Sequence, residues 1–256
     1  MWNVFLFGFI VFILPIAVFA EDTIFYKNNT IYYNGAINQD GFDAVQRIQR
    51  KNQNVTRIIF NSFGGYADVA IDFSKWIINK NLDVEVDKYC ISSCANYLFL
   101  AGNHKYLSKK SFLGWHGGNI RLKNEKLTPA DMNAIFGFSN DCNENILSNI
   151  SLITQIDKVI DECLFFKKVD VSMLITIYGQ VKPAVFYSDR VQLWSYTVEA
   201  LEYFGVKNIV LLDGNWTPEK IINGKLVTYF ELNEIKKQIT TDKIIFDAFT
   251  FYRNKT

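Results

Sequence analysis

What this sequence lacks most plainly is an excess of charge of either sign. Its 27 Lys and Arg are matched by 26 Asp and Glu, for a net charge of +1. So small a net charge sets up no field that would draw the chain to nucleic acid or to an anionic membrane surface. Histidine and cysteine are scarce as well, at two and four residues. The cysteines, Cys90, Cys94, Cys142 and Cys163, follow no zinc-finger spacing, so neither a metal nor another cofactor is expected. Internal repeats and low-complexity stretches are absent, which argues against a solenoid or a flexible linker. What is present is apolar: 49% of residues are hydrophobic and 16% aromatic, a composition that packs rather than one that stays disordered. A length of 256 residues is enough for one large domain with a substantial core.

The N-terminus stands apart. Residues 1 to 20 carry no Lys or Arg, are almost wholly apolar, and end Ala-Val-Phe-Ala before Glu21 and Asp22. That pattern reads as a secretory signal peptide with small residues at Val18 and Ala20. The competing reading is an uncleaved membrane anchor, since about 18 apolar residues nearly span a bilayer. Either way the body of the chain, residues 21 to 256, is expected to be exported and to form a single domain. An even number of cysteines in an oxidising compartment permits two disulfides, in any of three connectivities.

Along the chain, Thr23 to Gly35 alternates around Asn28-Asn29 and predicts a β-hairpin. Asp40, as N-cap, opens a helix to Lys51. Strands are expected at Arg57–Asn61 and Leu82–Val86, with an amphipathic helix from Tyr66 to Lys80 between them. Cys94 to Ala101 is apolar on most faces and predicts a buried helix. Short strands follow at Lys105–Leu107 and Phe112–Trp115. Strands alternating with helices imply right-handed crossovers and a largely parallel sheet, an α/β fold. Residues 128 to 168 mix polar and apolar residues at helical spacing and read as a helical insertion. Val171 to Tyr178 predicts a helix stopped by Gly179. Ala184–Tyr187 and Gln192–Trp194 look like strands, Thr197 to Phe204 a helix closed by Gly205, Val206 to Leu212 a strand, and Lys225 to Phe230 another.

Three places could carry chemistry. Gly64-Gly65 lies between a strand and a helix, where glycine lets backbone N–H groups face a cleft. Ser92 and Ser93 precede the buried helix; either could be its N-cap, or one could be a nucleophile at the helix start. His116 ends a strand, whereas His104 lies in a polar turn and reads as a surface residue. Nucleophile, base and oxyanion donors are what acyl transfer requires.

Taken in order, Asn61-Ser62-Phe63-Gly64-Gly65, then Ser93-Cys94-Ala95-Asn96-Tyr97-Leu98-Phe99-Leu100-Ala101-Gly102, then Leu113-Gly114-Trp115-His116 resemble the ClpP/crotonase superfamily. The similarity is to exported bacterial ClpP-like proteins of the serine peptidase type, with a Cys-x-Ser-x-Cys serine motif. In the Clp proteolytic subunit an Asn-Ser-Pro-Gly-Gly turn is followed by a serine opening a helix that ends Ala-Gly, then by a strand ending in histidine. Here Phe63 stands where that family has proline. The resemblance implies a ClpP/crotonase-like spiral of βαβ units. It implies Ser93 as nucleophile, with Ser92 as the alternative, His116 as general base, and the amides of Gly65 and Cys94 as oxyanion hole. A stretch resembling Leu193 to Val206 follows the family's orienting acid, which points to Asp189, with Asp170 and Asp161 as alternatives.

The function so implied is that of an exported serine hydrolase, a peptidase in the periplasm or secreted. It would act on peptide or protein substrates through an acyl-enzyme, and its relatives often form homo-oligomers. A histidine base implies a pH profile turning near 7. The alternatives are an inactive binding or assembly protein of the cell envelope that kept the fold, and a crotonase-like enzyme acting on acyl thioesters.

Overall fold

The structure, a computed structural model, describes residues 23–121, 129–143, 145, 155–180, 193–222 and 224–241. The expected leader at residues 1 to 20 and the strand at Ala184–Tyr187 lie outside the described residues, as does Asp189.

The hairpin forms as expected: β1 (Thr23–Lys27) pairs antiparallel with β2 (Thr30–Asn34). Its turn residues Asn28 and Asn29 both take positive φ, which asparagine tolerates better than other non-glycine residues. Helix α1 (Gln39–Lys51) is capped two residues earlier than the sequence suggests. Asn38, not Asp40, is the N-cap; its Oδ1 accepts the Gly41 N–H at 2.8 Å. Asp40 instead lies in the first turn, where a negative charge favours the helix dipole.

β3 (Arg57–Ser62), α2 (Ala67–Asn79) and β4 (Asp83–Ile91) form the central βαβ unit. Among the described residues the main sheet has seven strands and is parallel except at the hairpin, so the chain is a mixed α/β protein. β4 is its longest strand, and it forks. Val84–Val86 pairs with β5 (Lys105–Leu107), while Tyr89–Ile91 pairs with β6 (Phe112–Gly114). The sequence gives away only the first half of β4, because Asp87 and Lys88 are polar and exposed and interrupt the apolar run. β8 (Ile209–Leu211) adds to the far side of β5.

The described parts of residues 128–168 are helical: α3 (Pro129–Asp141) and α4 (Ile156–Val169). From Val171 to Tyr178 the structure differs from expectation. Two short 3₁₀ turns, Met173–Thr176 and Tyr178–Gln180, replace one helix, and Gly179 sits inside the second turn rather than ending a helix. Gly179 is there for space: a Cβ on it would lie 2.2 Å from the Trp194 ring. β7 (Trp194–Tyr196) starts two residues later than expected, and it pairs in parallel with β11 (Thr228–Phe230). α5 (Val198–Tyr203) is capped by the Thr197 hydroxyl and closed by Gly205 at φ +99, as expected. The strand expected over Lys225–Phe230 is two pieces, β10 (Lys225–Leu226), which pairs with β9 (Ile221–Ile222), and β11. Helix α6 (Leu232–Thr241) follows. The main buried apolar cluster runs from Ile31 to Ile235 and covers the sheet face that carries Ile31, Ile58 and Val84, while a smaller cluster holds Ile91 and Phe112 on the opposite side. Among the described residues no helix is long and apolar enough to cross a membrane.

Of the three connectivities, the chain adopts Cys90–Cys94 and Cys142–Cys163, which leaves no free cysteine to serve as a thiolate ligand. In the loop-closure picture, cross-links spanning 21 and 4 positions contribute about 3 and about 2 kcal/mol. Urea unfolding of the double variants Cys142→Ala/Cys163→Ala and Cys90→Ala/Cys94→Ala is expected to show losses in that order. A larger loss at the shorter loop would contradict this reasoning.

Candidate functional site

The site forms where the carboxyl ends of β3, β4 and β6 lie side by side. After Ser62 the chain turns through Gly64, at φ +91, a conformation that suits glycine. The turn is tightly packed. A Cβ on Gly64 would lie 2.7 Å from the Ile91 carbonyl oxygen and 2.8 Å from Ser92 Cβ, and one on Gly65 would lie 2.1 Å from the Ile37 carbonyl oxygen. Gly64 O accepts the Ile37 N–H and Tyr66 N–H donates to Ile37 O, both at 2.9 Å. Between these two bonds the Gly65 N–H is left out of the backbone pairing. It donates instead to Ser93 Oγ at 2.8 Å.

That bond separates the two serines. Ser93 has helical φ −59 and makes no capping bond to the helix it opens, so its hydroxyl is not used as an N-cap. It is 3% exposed. Ser92 sits at φ +59, an uncommon conformation for a non-glycine residue. Its N–H donates to Gly114 O at 2.9 Å and its carbonyl accepts the Asn96 N–H at 2.8 Å. The left-handed twist at Ser92 turns the chain from β4 into the segment Cys94–Phe99, which is wound as a π-helix rather than an ordinary α-helix. Such wide turns are rare and concentrate at functional sites. The Cys90–Cys94 disulfide spans the same turn and ties the strand end to the first wide turn.

His116 follows β6 by two residues. Because Ile91 is in register with Gly114, Ser93 and His116 lie equally far beyond the ends of neighbouring parallel strands. The side chain of Asn96 closes the gap, its Nδ2 donating to Gly117 O at 2.9 Å. The structure thus brings Ser93 and Gly65 into direct contact and sets the His116 loop beside them, without a Ser93–His116 hydrogen bond. His116 Nδ1 is buried and has no hydrogen-bond partner among the described residues. Burial, and then the nearby Arg121 charge, hold the imidazole below its ordinary 6.5, so it is neutral at pH 7. A neutral imidazole is the form a general base needs.

The alternative acids lie elsewhere. Asp170 is at the C-terminus of α4, exposed and paired with Lys207, and Asp161 is on the exposed face of α4. Neither is oriented toward His116 by any hydrogen bond or ion pair. Trp194 is more informative: its N–H and carbonyl pair with those of Trp115 at 2.9 and 2.8 Å, and Ser195 Oγ donates to Leu113 O at 2.6 Å. The Leu193-Trp-Ser-Tyr stretch is therefore docked directly on the strand that carries His116.

Sequence reasoning missed one group. Glu162 is fully buried on α4, and its carboxylate accepts from Tyr97 O–H and from Asn119 N–H, each at 2.8 Å. Burial pushes it up to about 7. A Glu between Asp161 and Cys163 on an amphipathic helix gives no sign of this, because burial of one face depends on what packs there.

Two outcomes follow for stability. Gly64→Ala forces a side chain into positive φ against the Ile91 carbonyl, and thermal or urea unfolding is expected to show a loss of about 1–3 kcal/mol. Glu162 keeps its proton in the folded chain over a pH range in which the unfolded chain, at the ordinary 4.5, has released it. Its contribution is therefore fully present below about 4.5 and is lost as pH rises to about 7. Glu162→Gln cannot ionise, so its stability relative to the parent chain is expected to improve by about 3 kcal/mol between pH 4.5 and pH 8. A pH-independent difference in urea unfolding would refute this.

No protein-family model matches the chain, and no curated protein is similar to it. Among solved structures, the catalytic domain of the ClpP protease from Plasmodium falciparum is similar over 32% of this chain and 52% of its own length, at 14% identity and a TM-score of 0.30. A ClpP1 mutant from Listeria monocytogenes is similar over the same shares, 32% and 52%, at 21% identity and a TM-score of 0.27. The alignments thus span about half the length of these structures, and likenesses of this size carry no inference about activity.

Proposed function

We propose that the chain is an exported serine hydrolase with a ClpP-like arrangement of its βαβ units, cleaving peptide or protein substrates through an acyl-enzyme on Ser93. The observation that carries this reading is the 2.8 Å hydrogen bond from the Gly65 N–H to a serine hydroxyl that does not cap its own helix. A main-chain donor excluded from backbone pairing and aimed at a buried hydroxyl is what an oxyanion hole beside a nucleophile looks like before substrate arrives.

In this mechanism the substrate carbonyl oxygen takes over the Gly65 N–H, joined by the Cys94 N–H, and Ser93 Oγ turns toward the imidazole. His116 accepts the Ser93 proton as Oγ bonds to the carbonyl carbon. The tetrahedral intermediate collapses, the C–N bond breaks, and the imidazolium returns the proton to the leaving amine. Water, deprotonated by His116, then attacks the ester, and the proton goes back to Ser93 as the acid product leaves. Asp189 is the proposed orienting acid. It lies five residues before Trp194, whose backbone is paired with Trp115 next to His116, and His116 Nδ1 is buried without a partner among the described residues. Two disulfides fit an oxidising compartment, in keeping with a leader at residues 1 to 20.

A second reading has its own observation: Ser93 is bonded to Gly65 and not to His116, and the Cys90–Cys94 clamp holds the turn in that state. A chain locked there would bind peptides without cleaving them.

A fluorophosphonate probe separates the two. Labelling is expected in the parent chain and in Ser92→Ala, and is expected to vanish in Ser93→Ala. His116→Ala should slow labelling by roughly 10³-fold or more. No labelling of the parent chain would favour the binding protein, and labelling that survives in Ser93→Ala would remove Ser93 as nucleophile. Because burial lowers His116, the acid limb of the labelling rate is expected below pH 6.5 rather than near 7.

A further inference from the structure

The loop after His116 is held from several sides. Asn96 Nδ2 reaches Gly117 O at 2.9 Å, Asn119 Nδ2 reaches Lys158 O at 3.0 Å, and Gln180 Nε2 reaches Ile120 O at 2.9 Å. All three are neutral bonds to main-chain carbonyls, and Gln180 Nε2 also reaches Thr176 O at 2.9 Å. The fourth holder is different. Glu162 presents one carboxylate oxygen to each half of the site. Oε1 accepts from the hydroxyl of Tyr97, on the π-helix that begins beside Ser93, and Oε2 accepts from the backbone N–H of Asn119, three residues after His116.

The fit around this carboxylate is close. A Cβ on Gly118 would lie 2.2 Å from Glu162 Oε1, so a glycine two residues after His116 lets the loop come down onto the acid. The next residue on α4, Cys163, is disulfide-bonded to Cys142 of the segment after α3, which steadies the helix that supplies the acid. The titratable and charged groups acting on Glu162 are Tyr97 and Arg121. Both hydrogen-bond partners are donors; the carboxylate accepts from both at once, and the protonated acid still offers an acceptor lone pair on each oxygen.

We infer that Glu162 is a positioning residue for the Ser93–His116 pair, holding the serine-bearing helix through Tyr97 and the histidine-bearing loop through Asn119, and touching neither reacting atom. This role rests on the hydrolase reading for its catalytic meaning, but the tether acts on the His116 environment whether or not the chain hydrolyses anything. Misplacement of a reacting group by about 1 Å costs on the order of 100-fold in rate, so a tether across the site bears directly on turnover.

The test uses the fact that the chain has only two histidines. Their Cε1 protons give two resonances in a proton NMR titration, and His104→Ala assigns them. In Glu162→Ala, the His116 titration is expected to move up toward 6.5 as the loop loosens and the ring is hydrated. The fluorophosphonate rate of the folded protein, measured well below the unfolding midpoint, is expected to fall by roughly 10- to 100-fold. Glu162→Gln keeps the shape and one acceptor, and the Tyr97 hydroxyl can rotate to accept from the amide. Both readouts are therefore expected to stay near those of the parent chain, within about 3-fold in rate. If Glu162→Ala does not fold, Tyr97→Phe removes half of the tether and is expected to shift both readouts in the same direction by a smaller amount.

A folded Glu162→Ala protein, or Tyr97→Phe in its place, with an unchanged His116 titration and an unchanged labelling rate would overturn the proposal, even if its unfolding midpoint were lower. If the parent chain does not label at all, the hydrolase reading falls, and the His116 titration alone still decides whether Glu162 sets the position of the imidazole.

Discussion

The site depends on one close main-chain approach. The Gly64-Gly65 turn is wedged between Ile37 on one side and the Ile91–Ser93 turn on the other, near enough that neither glycine has room for a Cβ. Because Ile37 bonds to Gly64 O and Tyr66 N, the Gly65 amide between them has no backbone partner and must find another acceptor. The Ser93 hydroxyl is that acceptor. Remove the close approach and the amide either pairs elsewhere or turns to water, and the serine is left as an ordinary residue at a helix start.

The second requirement is that β4 be long and forked. Its first half is shared with β5 and its second half with β6, so the strand that delivers the serines also holds the strand that delivers His116. A parallel neighbour in register carries its following loop to the same edge of the sheet, which is where ligands gather in open α/β folds. Below that edge the contacts are polar but buried: Asn96 on Gly117, Gln180 on Ile120, and Glu162 between Tyr97 and Asn119. Buried bonds of this kind hold a loop in one place, because breaking any of them strands a polar group out of water. They also leave the imidazole partly dehydrated and therefore neutral.

Much of this was legible in the chain itself. The alternation around Asn28-Asn29, the apolar run of β3 and the helical spacing of α2 are local patterns, and they produced the elements they predicted. Glycines flanked by a strand and a helix, a serine before a small-residue helix and a histidine at a strand end marked segments that the structure brings to one edge of the sheet. The errors fell where the deciding partner is distant in sequence. The second half of β4 is a strand because β6 pairs with it, despite Asp87 and Lys88. Met173–Gln180 breaks into two 3₁₀ turns where Gly179 packs under the Trp194 ring.

Residue types and their order along the chain determined which groups are available: two adjacent serines, one histidine with an apolar approach, a glycine pair and four cysteines able to bridge. Only the tertiary structure chose among them. It decided that Ser93 rather than Ser92 meets the Gly65 amide, since that follows from the left-handed turn at Ser92. It decided that the cysteines pair as neighbours, and that Glu162 is buried while Asp161 beside it is not. Each of these depends on which surfaces come within a few ångströms of one another across tens of residues, and local periodicity carries no record of that.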